Sequence, residues 1–359
     1  MKKSSENLTI ELIRSIGSPF VSEPEKFDAN ESMELYDLAF ENNIDLLYLN
    51  VLKSQGRLNS LRSKYEELEN RCHETLVTIT RVARLLNSKR TLYAVTKTLR
   101  PYPATPNDVD IFYLGPSSGY QMTIDMMIEG GYILQARNPK QALFYDPRDD
   151  SSGSQVQSDR RGGVYYLELY REPAADYFVY LDNKKLRDHI TTICLDKDQV
   201  VSVFDPGVEL TVVLMHTIVM HRFYPLEVFY TMLYYFSEMT ADKVEEFLCF
   251  VKQNNAVPAV CTGIAVAALL HEAAFNSTPE ILTKMLTRLG SNGFEVNRLK
   301  KNDFRMPHKI GFPTFIAEVL SKLREPKSLG SFGVQLLHMS NPVFAAGVVR
   351  SLKKKYEHV

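Results

Sequence analysis

The chain of 359 residues is 45% apolar and carries a formal net charge of −1 at pH 7. Because positive and negative charges nearly cancel, the sequence as a whole has no excess of basic residues that would hold it to nucleic acid, although a local basic patch would suffice. The length predicts two or three structural units rather than a single core.

The cysteines and the apolar segments predict a cytoplasmic protein without a membrane anchor. The four cysteines are scattered, which argues against a zinc knuckle or a disulfide framework and is typical of a reducing compartment: Cys72, Cys194, Cys249 and Cys261. The first residues are too polar for a signal peptide. The longest apolar run, 259–275, is interrupted by Thr262, His271 and Glu272, and predicts a buried helix rather than a membrane span.

Residues 1–88 have the pattern of a helical unit. Short helices are predicted within residues 8–51, and a long amphipathic helix is predicted over 57–88. Along this helix, apolar or neutral residues recur at alternating spacings of three and four, beginning with Leu58, Leu61, Tyr65 and Leu68. The helix could pair with a second copy as a coiled coil or pack against a neighbouring helix of the same chain.

Residues 89–200 show a mixed pattern of strands and helices. Because β-branched and aromatic residues are enriched there, strands are predicted over 91–96, 109–114, 132–134, 141–145 and 163–170. Three prolines between the first two strands predict a rigid turn. A helix is predicted over 117–130, ended by Gly130 and Gly131, and a polar loop over 146–163.

From about residue 205 the pattern is helical. Asp205 before Pro206 is typical of a helix N-cap followed by proline at the first position. Helices are predicted near 208–222, 225–238, 240–253, 259–275, 279–289, 313–324 and 341–356. The sequence therefore predicts an α+β fold in three parts: an N-terminal helical unit (1–88), a small mixed-sheet domain (89–200) and a C-terminal helical domain (201–359).

Two carboxylates stand at the start of the second predicted strand. Asp108 and Asp110 are two residues apart, so both project from one face of that strand. Carboxylates this close repel each other unless a cation lies between them, and oxygen ligands of this kind suit Mg²⁺. The alternative is a turn aspartate that caps its own backbone, followed by an unrelated second aspartate.

A metal site for phosphoryl transfer needs a further acid, and Glu168 is the predicted third ligand. It lies within the apolar segment 166–170, where a buried charge is costly unless it is paired or bound to a metal. A salt bridge or a solvated strand face would explain it equally well, and Glu172 and Asp176 compete for the role. A carboxylate more than about 7 Å from both aspartates would argue against Glu168, because bridging metals lie only about 4 Å apart.

Several basic residues, and two residues on one predicted helix, are candidates for substrate contacts. Lys97 and Arg100 follow the first predicted strand, where they could hold phosphates or simply offset the acids. Glu209 and His216 are seven residues apart and share a helix face, from which they could approach a nucleotide or serve in packing. The polar loop carries further arginines that could close over a substrate or form mobile surface: Arg148, Arg160 and Arg161.

The order of these motifs resembles the family of uncharacterised nucleotidyltransferases within the DNA polymerase beta superfamily. The resemblance spans roughly residues 35–235 and depends on the segments 96–98, 100–103, 108–111, 168–170, 180–182 and 206–226. It implies that Asp108, Asp110 and Glu168 bind the metal and serve in catalysis. It implies equally that the nucleotide is held by Lys97, Thr98, Arg100 and Asn107. The sequence departs from the superfamily at Thr98, which stands at the expected glycine after the first strand.

The resemblance implies a Mg²⁺-dependent (or Mn²⁺-dependent) nucleotidyltransferase that uses ATP or another nucleoside triphosphate. The acceptor would be a hydroxyl group on a small molecule, a protein or an RNA. Because the expected glycine is missing, the alternative is a catalytically degenerate binding module that acts through a protein partner. A second alternative is a toxin-like transferase that modifies tRNA, which predicts a basic rim around the site built from the loop arginines.

Overall fold

The computed structural model describes residues 5–21, 32–147, 166–196 and 199–342, together with residue 346. Within these ranges the protein has an α+β fold, as the sequence predicts, with a mixed seven-stranded sheet, two small two-stranded sheets and fourteen α-helices. The predicted loop arginines, Arg148, Arg160 and Arg161, and nearly all of the helix predicted over 341–356 lie outside the described residues.

The α-helices that the structure describes are α1 (Ser5–Ile16), α2 (Ser32–Glu41), α3 (Asp45–Ser54), α4 (Arg62–Ser88), α5 (Tyr120–Glu129), α6 (Asn183–Leu186), α7 (Pro206–His216), α8 (Leu226–Glu238), α9 (Ala241–Gln253), α10 (Val257–Phe275), α11 (Glu280–Leu289), α12 (Gly293–Lys301), α13 (Phe312–Lys322) and α14 (Pro326–Met339). The strands are β1 (Tyr93–Thr96), β2 (Val109–Tyr113), β3 (Ile133–Arg137), β4 (Gln141–Tyr145), β5 (Leu167–Tyr170), β6 (Ala174–Ala175), β7 (Phe178–Val179), β8 (Ile190–Asp196), β9 (Gln199–Phe204), β10 (Phe223–Tyr224) and β11 (His308–Lys309).

The large sheet has the strand order β3-β4-β5-β2-β1-β9-β8. Its centre is mixed: β2 runs antiparallel to β1 and parallel to β5, whereas β1 runs parallel to β9. In this register Asp110 stands between Thr96 on β1 and Glu168 on β5. The end of β1, the start of β2 and the start of β5 therefore meet at one edge of the sheet.

The two faces of the sheet belong to different hydrophobic cores. On β2, Val109 and Ile111 point into a core shared with α4 and α5. Phe112 and Leu114 point the other way, into a larger core that includes most of the helices. Because side chains alternate along a strand, Asp110 projects from the same face as Phe112, toward the helical side.

The N-terminal and C-terminal helices share that larger core. Helix α1 packs on α2, α3 and α10, and the Arg14 side chain donates a hydrogen bond to the Ala274 carbonyl at 2.6 Å. Helix α4 packs instead on the sheet beside β9 and on α3. Helix α10 is long and apolar enough to cross a membrane, but most of its side chains are buried inside the protein.

A hairpin of β8 and β9 extends the sheet past the predicted boundary at residue 200. Strand β9 pairs with β1, so the sheet continues to Phe204 and leads directly into α7. The segment 190–204 is rich in β-branched residues, a strand signal that the predicted elements do not include. Helices α12 and α14 are also absent from the predicted elements.

Candidate active site

The register of β2 and β5 brings the three predicted acids together. Asp110 pairs with Glu168 on the neighbouring strand, and Asp108 stands two residues before Asp110. One carboxylate oxygen from each of Asp108, Asp110 and Glu168 lies within 4.8 Å of the other two. This separation is inside the 7 Å limit set above, and these three residues are called the acidic cluster below.

Asp110 is the most enclosed member of the acidic cluster, with 4% of the residue exposed. Its Oδ2 atom lies 3.0 Å from the Lys97 ammonium. Its Oδ1 atom is buried, and no hydrogen-bond partner for it occurs among the residues that the structure describes. A buried carboxylate oxygen without a partner is costly, so the site has the donor set and the unmet charge that a cation would satisfy.

The electrostatics of the acidic cluster show an excess of negative charge. Burial and the charges of Asp110 and Glu168 raise the pKa of Asp108 well above its ordinary value, and the Lys97 ammonium only partly opposes this. Burial and Asp110 also raise the pKa of Glu168, although hydrogen bonds from the Tyr170 hydroxyl and the Gln141 amide oppose the rise. A bound cation would lower both pKa values.

Lys97 stands at the turn after β1 in a left-handed backbone conformation, with φ = 57°. Glu209, buried on α7, holds this turn through both carboxylate oxygens. Its Oε1 accepts from the Lys97 N–H at 2.6 Å and its Oε2 from the Thr96 hydroxyl at 2.7 Å. A non-glycine residue at this φ is strained, and the two hydrogen bonds offset that cost.

The conformation that would favour glycine therefore falls on Lys97 and not on Thr98. The Thr98 hydroxyl accepts a hydrogen bond from the Asp110 N–H at 2.9 Å and lies 3.1 Å from the Thr96 carbonyl, to which it donates. Thr98 thus ties the turn after β1 to the start of β2. Thr98 therefore lies beside the acidic cluster, and its hydroxyl group is already hydrogen-bonded to backbone atoms of both strands.

The Lys97 ammonium is held from several sides. It lies 3.4 Å from His216 Nε2 and 5.0 Å from the centre of the Tyr170 ring. His216 in turn lies 3.0 Å from the Tyr180 hydroxyl through Nδ1. Glu209 and His216, which the sequence places on one helix face, thus both contact Lys97.

Arg100 is buried beside the N-terminus of α8, where it forms an ion pair with Glu227. Two of its nitrogen atoms, Nε and Nη1, are buried and have no hydrogen-bond partner within the described part of the chain. Asn107 is exposed in the turn before β2. The structure therefore places Arg100 in the interior and Asn107 at the surface next to Asp108.

The two competing acids lie outside the acidic cluster. Glu172 forms an ion pair with Lys140 and lies 2.8 Å from the Lys327 ammonium on α14. Asp176 is exposed in the turn between β6 and β7, with φ = 52°. Of the three acids considered for the third position, only Glu168 joins the two aspartates.

No protein-family model matches this sequence, and no curated protein matches it either. The function must therefore be inferred from the geometry and charge of the site. Three carboxylates at a sheet edge, with a lysine beside them, have the chemistry to hold a hard divalent cation.

Proposed function

We propose that this protein is a Mg²⁺-dependent or Mn²⁺-dependent nucleotidyltransferase that moves a nucleoside monophosphate from a nucleoside triphosphate to a hydroxyl acceptor. The single observation that supports this most strongly is the acidic cluster, in which the buried Asp110 Oδ1 has no hydrogen-bond partner among the described residues. Such a cluster is costly to a folded protein unless a cation belongs there. The acceptor is a hydroxyl group of a small molecule, a protein side chain or an RNA.

The acidic cluster fits a hard divalent cation in its chemistry. All three donors are carboxylate oxygens, which suit Mg²⁺ and Mn²⁺ better than softer metals. Asp108, Asp110 and Glu168 would hold the ion. When bound, it would offset negative charge on the reacting phosphate.

Two basic residues would position the substrate, and one member of the acidic cluster would accept a proton. Lys97 presents a positive charge next to Asp110, where the phosphates of a nucleotide would approach. Arg100 has two buried nitrogen atoms, Nε and Nη1, without a hydrogen-bond partner in the described part of the chain, and an anionic oxygen would satisfy them. Besides holding the ion, Glu168 is the member of the acidic cluster that we assign to accept the proton of the attacking hydroxyl group.

One observation favours a second candidate, a degenerate nucleotidyltransferase fold that binds a protein partner. Lys97 already offsets one charge on Asp110, and Arg100 already forms an ion pair with Glu227. A protein that had lost turnover could retain both contacts as structural ion pairs. This candidate predicts that the acidic cluster binds neither metal nor nucleotide.

A labelling experiment separates the two candidates. The protein is incubated with Mg²⁺ or Mn²⁺ and each of the four nucleoside triphosphates labelled at the α-phosphate, with total RNA, protein extract or small metabolites as acceptors. Transfer of label by the wild type, lost in the double variant Asp108→Ala/Asp110→Ala, supports the transferase. Absence of transfer, together with absence of metal-dependent nucleotide binding, would support the binding module instead.

A further inference from the structure

The two oxygens of Asp110 have different surroundings. Oδ2 lies 3.0 Å from the Lys97 ammonium, whereas Oδ1 is buried without a partner among the residues described. In a two-metal transferase, cations about 3.5–4 Å apart clamp the attacking and leaving oxygens. Here one side of Asp110 already faces a positive charge that is part of the chain.

The Lys97 ammonium is built into that position. Its side chain is only 9% exposed, and Glu209 fixes its backbone N–H. An ammonium group can only donate hydrogen bonds, so His216 Nε2 must accept. With Nε2 accepting, Nδ1 carries the ring proton and donates to the Tyr180 oxygen at 3.0 Å, which orients the ring.

The charges of the resting site balance with one metal ion. The acidic cluster carries three negative charges when fully ionised, and Lys97 supplies one positive charge. One divalent cation supplies the other two. A second divalent cation would have to approach the Lys97 ammonium at close range, which like-charge repulsion opposes.

We propose that Lys97 takes the place of the second metal ion, so that the acidic cluster binds a single divalent cation. This inference depends on the proposed function, because it assumes that the acidic cluster is a metal site. In this arrangement Asp110 Oδ1 faces the metal and Oδ2 faces the lysine. Helix α7 maintains the arrangement through Glu209 and His216.

The test is a count of bound metal ions. Wild-type protein is equilibrated by dialysis against Mn²⁺ and the non-hydrolysable analogue α,β-methylene-ATP, and the Mn²⁺ bound per chain is measured. We expect one ion for the wild type and for Lys97→Arg, which retains a positive charge. We expect two ions for Lys97→Gly, which removes the ammonium and suits the left-handed backbone at this position.

Two controls accompany this count. Lys243→Ala removes another lysine that is paired with a carboxylate, Glu246, on the exposed surface of α9, and should still bind one ion. Asp110→Asn should bind none. Circular dichroism checks that each variant is folded, and Lys97→Asn replaces Lys97→Gly if the glycine variant does not fold, because asparagine also tolerates this conformation.

The number of bound Mn²⁺ ions tests the role of Lys97 and the metal site separately. Two ions in the wild type would overturn the role of Lys97 and leave the proposed function standing. One ion in both the wild type and the uncharged Lys97 variant would overturn it as well. Binding of no Mn²⁺ by any variant would contradict the metal site itself, and with it the proposed function.

Discussion

At the scale of single residues, Asp108, Asp110 and Glu168 lie close together with Lys97 as their near cation. The raised pKa values of Asp108 and Glu168 mean that ionisation of these two carboxyl groups opposes folding. Such a site reduces the stability of the metal-free protein, and a bound cation would restore it by mass action. Function and stability are therefore expected to oppose each other at these positions.

Asp108→Asn should stabilise the metal-free protein at pH 8. The pKa of Asp108 is raised in the folded state, so the stability that it contributes is present below its unfolded pKa, about 3.9, and is lost as the pH rises through its folded pKa. Because ionised Asp108 opposes folding at pH 8, removing its charge should raise the free energy of unfolding of the metal-free protein.

Urea denaturation from pH 4 to pH 8 measures this effect, and the gain should shrink toward pH 4. Addition of Mg²⁺ should stabilise the wild type more than Asp108→Asn. If Asp108→Asn were less stable than the metal-free wild type at pH 8, the claim that ionised Asp108 opposes folding would be contradicted.

Glu209→Gln should destabilise the protein by about 1–2 kcal/mol, because the amide nitrogen cannot accept one of the two hydrogen bonds that now hold Thr96 and Lys97. The midpoint of urea denaturation measures the change. Asp242→Asn on the surface of α9 is a matched acid-to-amide control and should change stability by less than about 0.5 kcal/mol. An equal effect of both variants would show that Glu209 does not brace the turn.

At the scale of elements, helix α7 connects the sheet to the site. It begins where β9 ends, with Asp205 as its N-cap, and the Asp205 carboxylate accepts a hydrogen bond from the Val208 N–H at 2.9 Å. The same carboxylate lies 2.8 Å from His189 Nδ1 through its other oxygen. The start of α7 is therefore fixed by two bonds, and its first turns present Glu209 to the turn after β1.

The ion pair at the start of α7 should depend on pH. Asp205 raises the pKa of His189, so the contribution of the histidine is present below about pH 6.5 and is lost as the pH rises through its folded pKa. Burial alone would raise the pKa of Asp205, but the hydrogen bond from His189 opposes this and the pKa is lowered. The contribution of Asp205 to stability is therefore present above about pH 3.9 and is lost as the pH falls through its folded pKa.

Asp205→Asn keeps an N-cap side chain but removes the charge and one of the two carboxylate oxygens that contact Val208 and His189. Its stability loss relative to the wild type should be largest near pH 5–6, at about 0.5–1 kcal/mol, and should shrink above pH 7. Thermal or urea denaturation at several pH values measures it. Asp205→Ala, which also removes the cap, should be less stable than Asp205→Asn at every pH, and a loss independent of pH in Asp205→Asn would contradict the ion pair.

At the scale of the whole molecule, helices that are distant in sequence are joined by one core. Helix α1 buries Leu12 and Ile13 in the core that contains α7, α8 and α10. The sheet contributes Phe112 and Tyr170 to that same core from the face that bears Asp110. Helices that precede the sheet in the sequence and helices that follow it thus support the side of the sheet on which the site is built.

Leu12→Ala should therefore destabilise the whole protein, by about 2–5 kcal/mol, because it leaves a cavity between helices that are distant in sequence. Leu12 is 0% exposed, whereas Met122 on α5 is 71% exposed. Met122→Ala should change stability by less than about 0.5 kcal/mol. Guanidinium denaturation compares the two variants, and an unchanged midpoint for Leu12→Ala would show that α1 does not belong to the shared core.

The sequence was most informative about features that depend on a single strand or helix. The two-residue spacing of Asp108 and Asp110 fixes their common face on a strand, whatever surrounds them. Glu168 stands out as an acid inside an apolar strand. These local signals favour Glu168 as the third acid but leave Glu172 and Asp176 open, and the pairing of β2 with β5 decides which acid lies beside the two aspartates.

Features that depend on long-range pairing were not predictable in the same way. Arg100 follows the first strand and has the chemistry of a phosphate ligand, yet its partner is Glu227, 127 residues further along the chain. The left-handed conformation of Lys97 depends on Glu209, which lies 112 residues away. The hairpin of β8 and β9 does have a local signal in its β-branched residues, but its place next to β1 does not follow from it.

The most direct test of the account is a crystal structure of the protein with Mn²⁺ and α,β-methylene-ATP, using anomalous scattering to locate the metal. We predict an anomalous peak for a Mn²⁺ ion bound by Asp108, Asp110 and Glu168, with phosphate oxygens of the analogue bound to the same ion. A nucleotide bound elsewhere, or an acidic cluster without Mn²⁺ at a concentration that saturates the analogue, would contradict it.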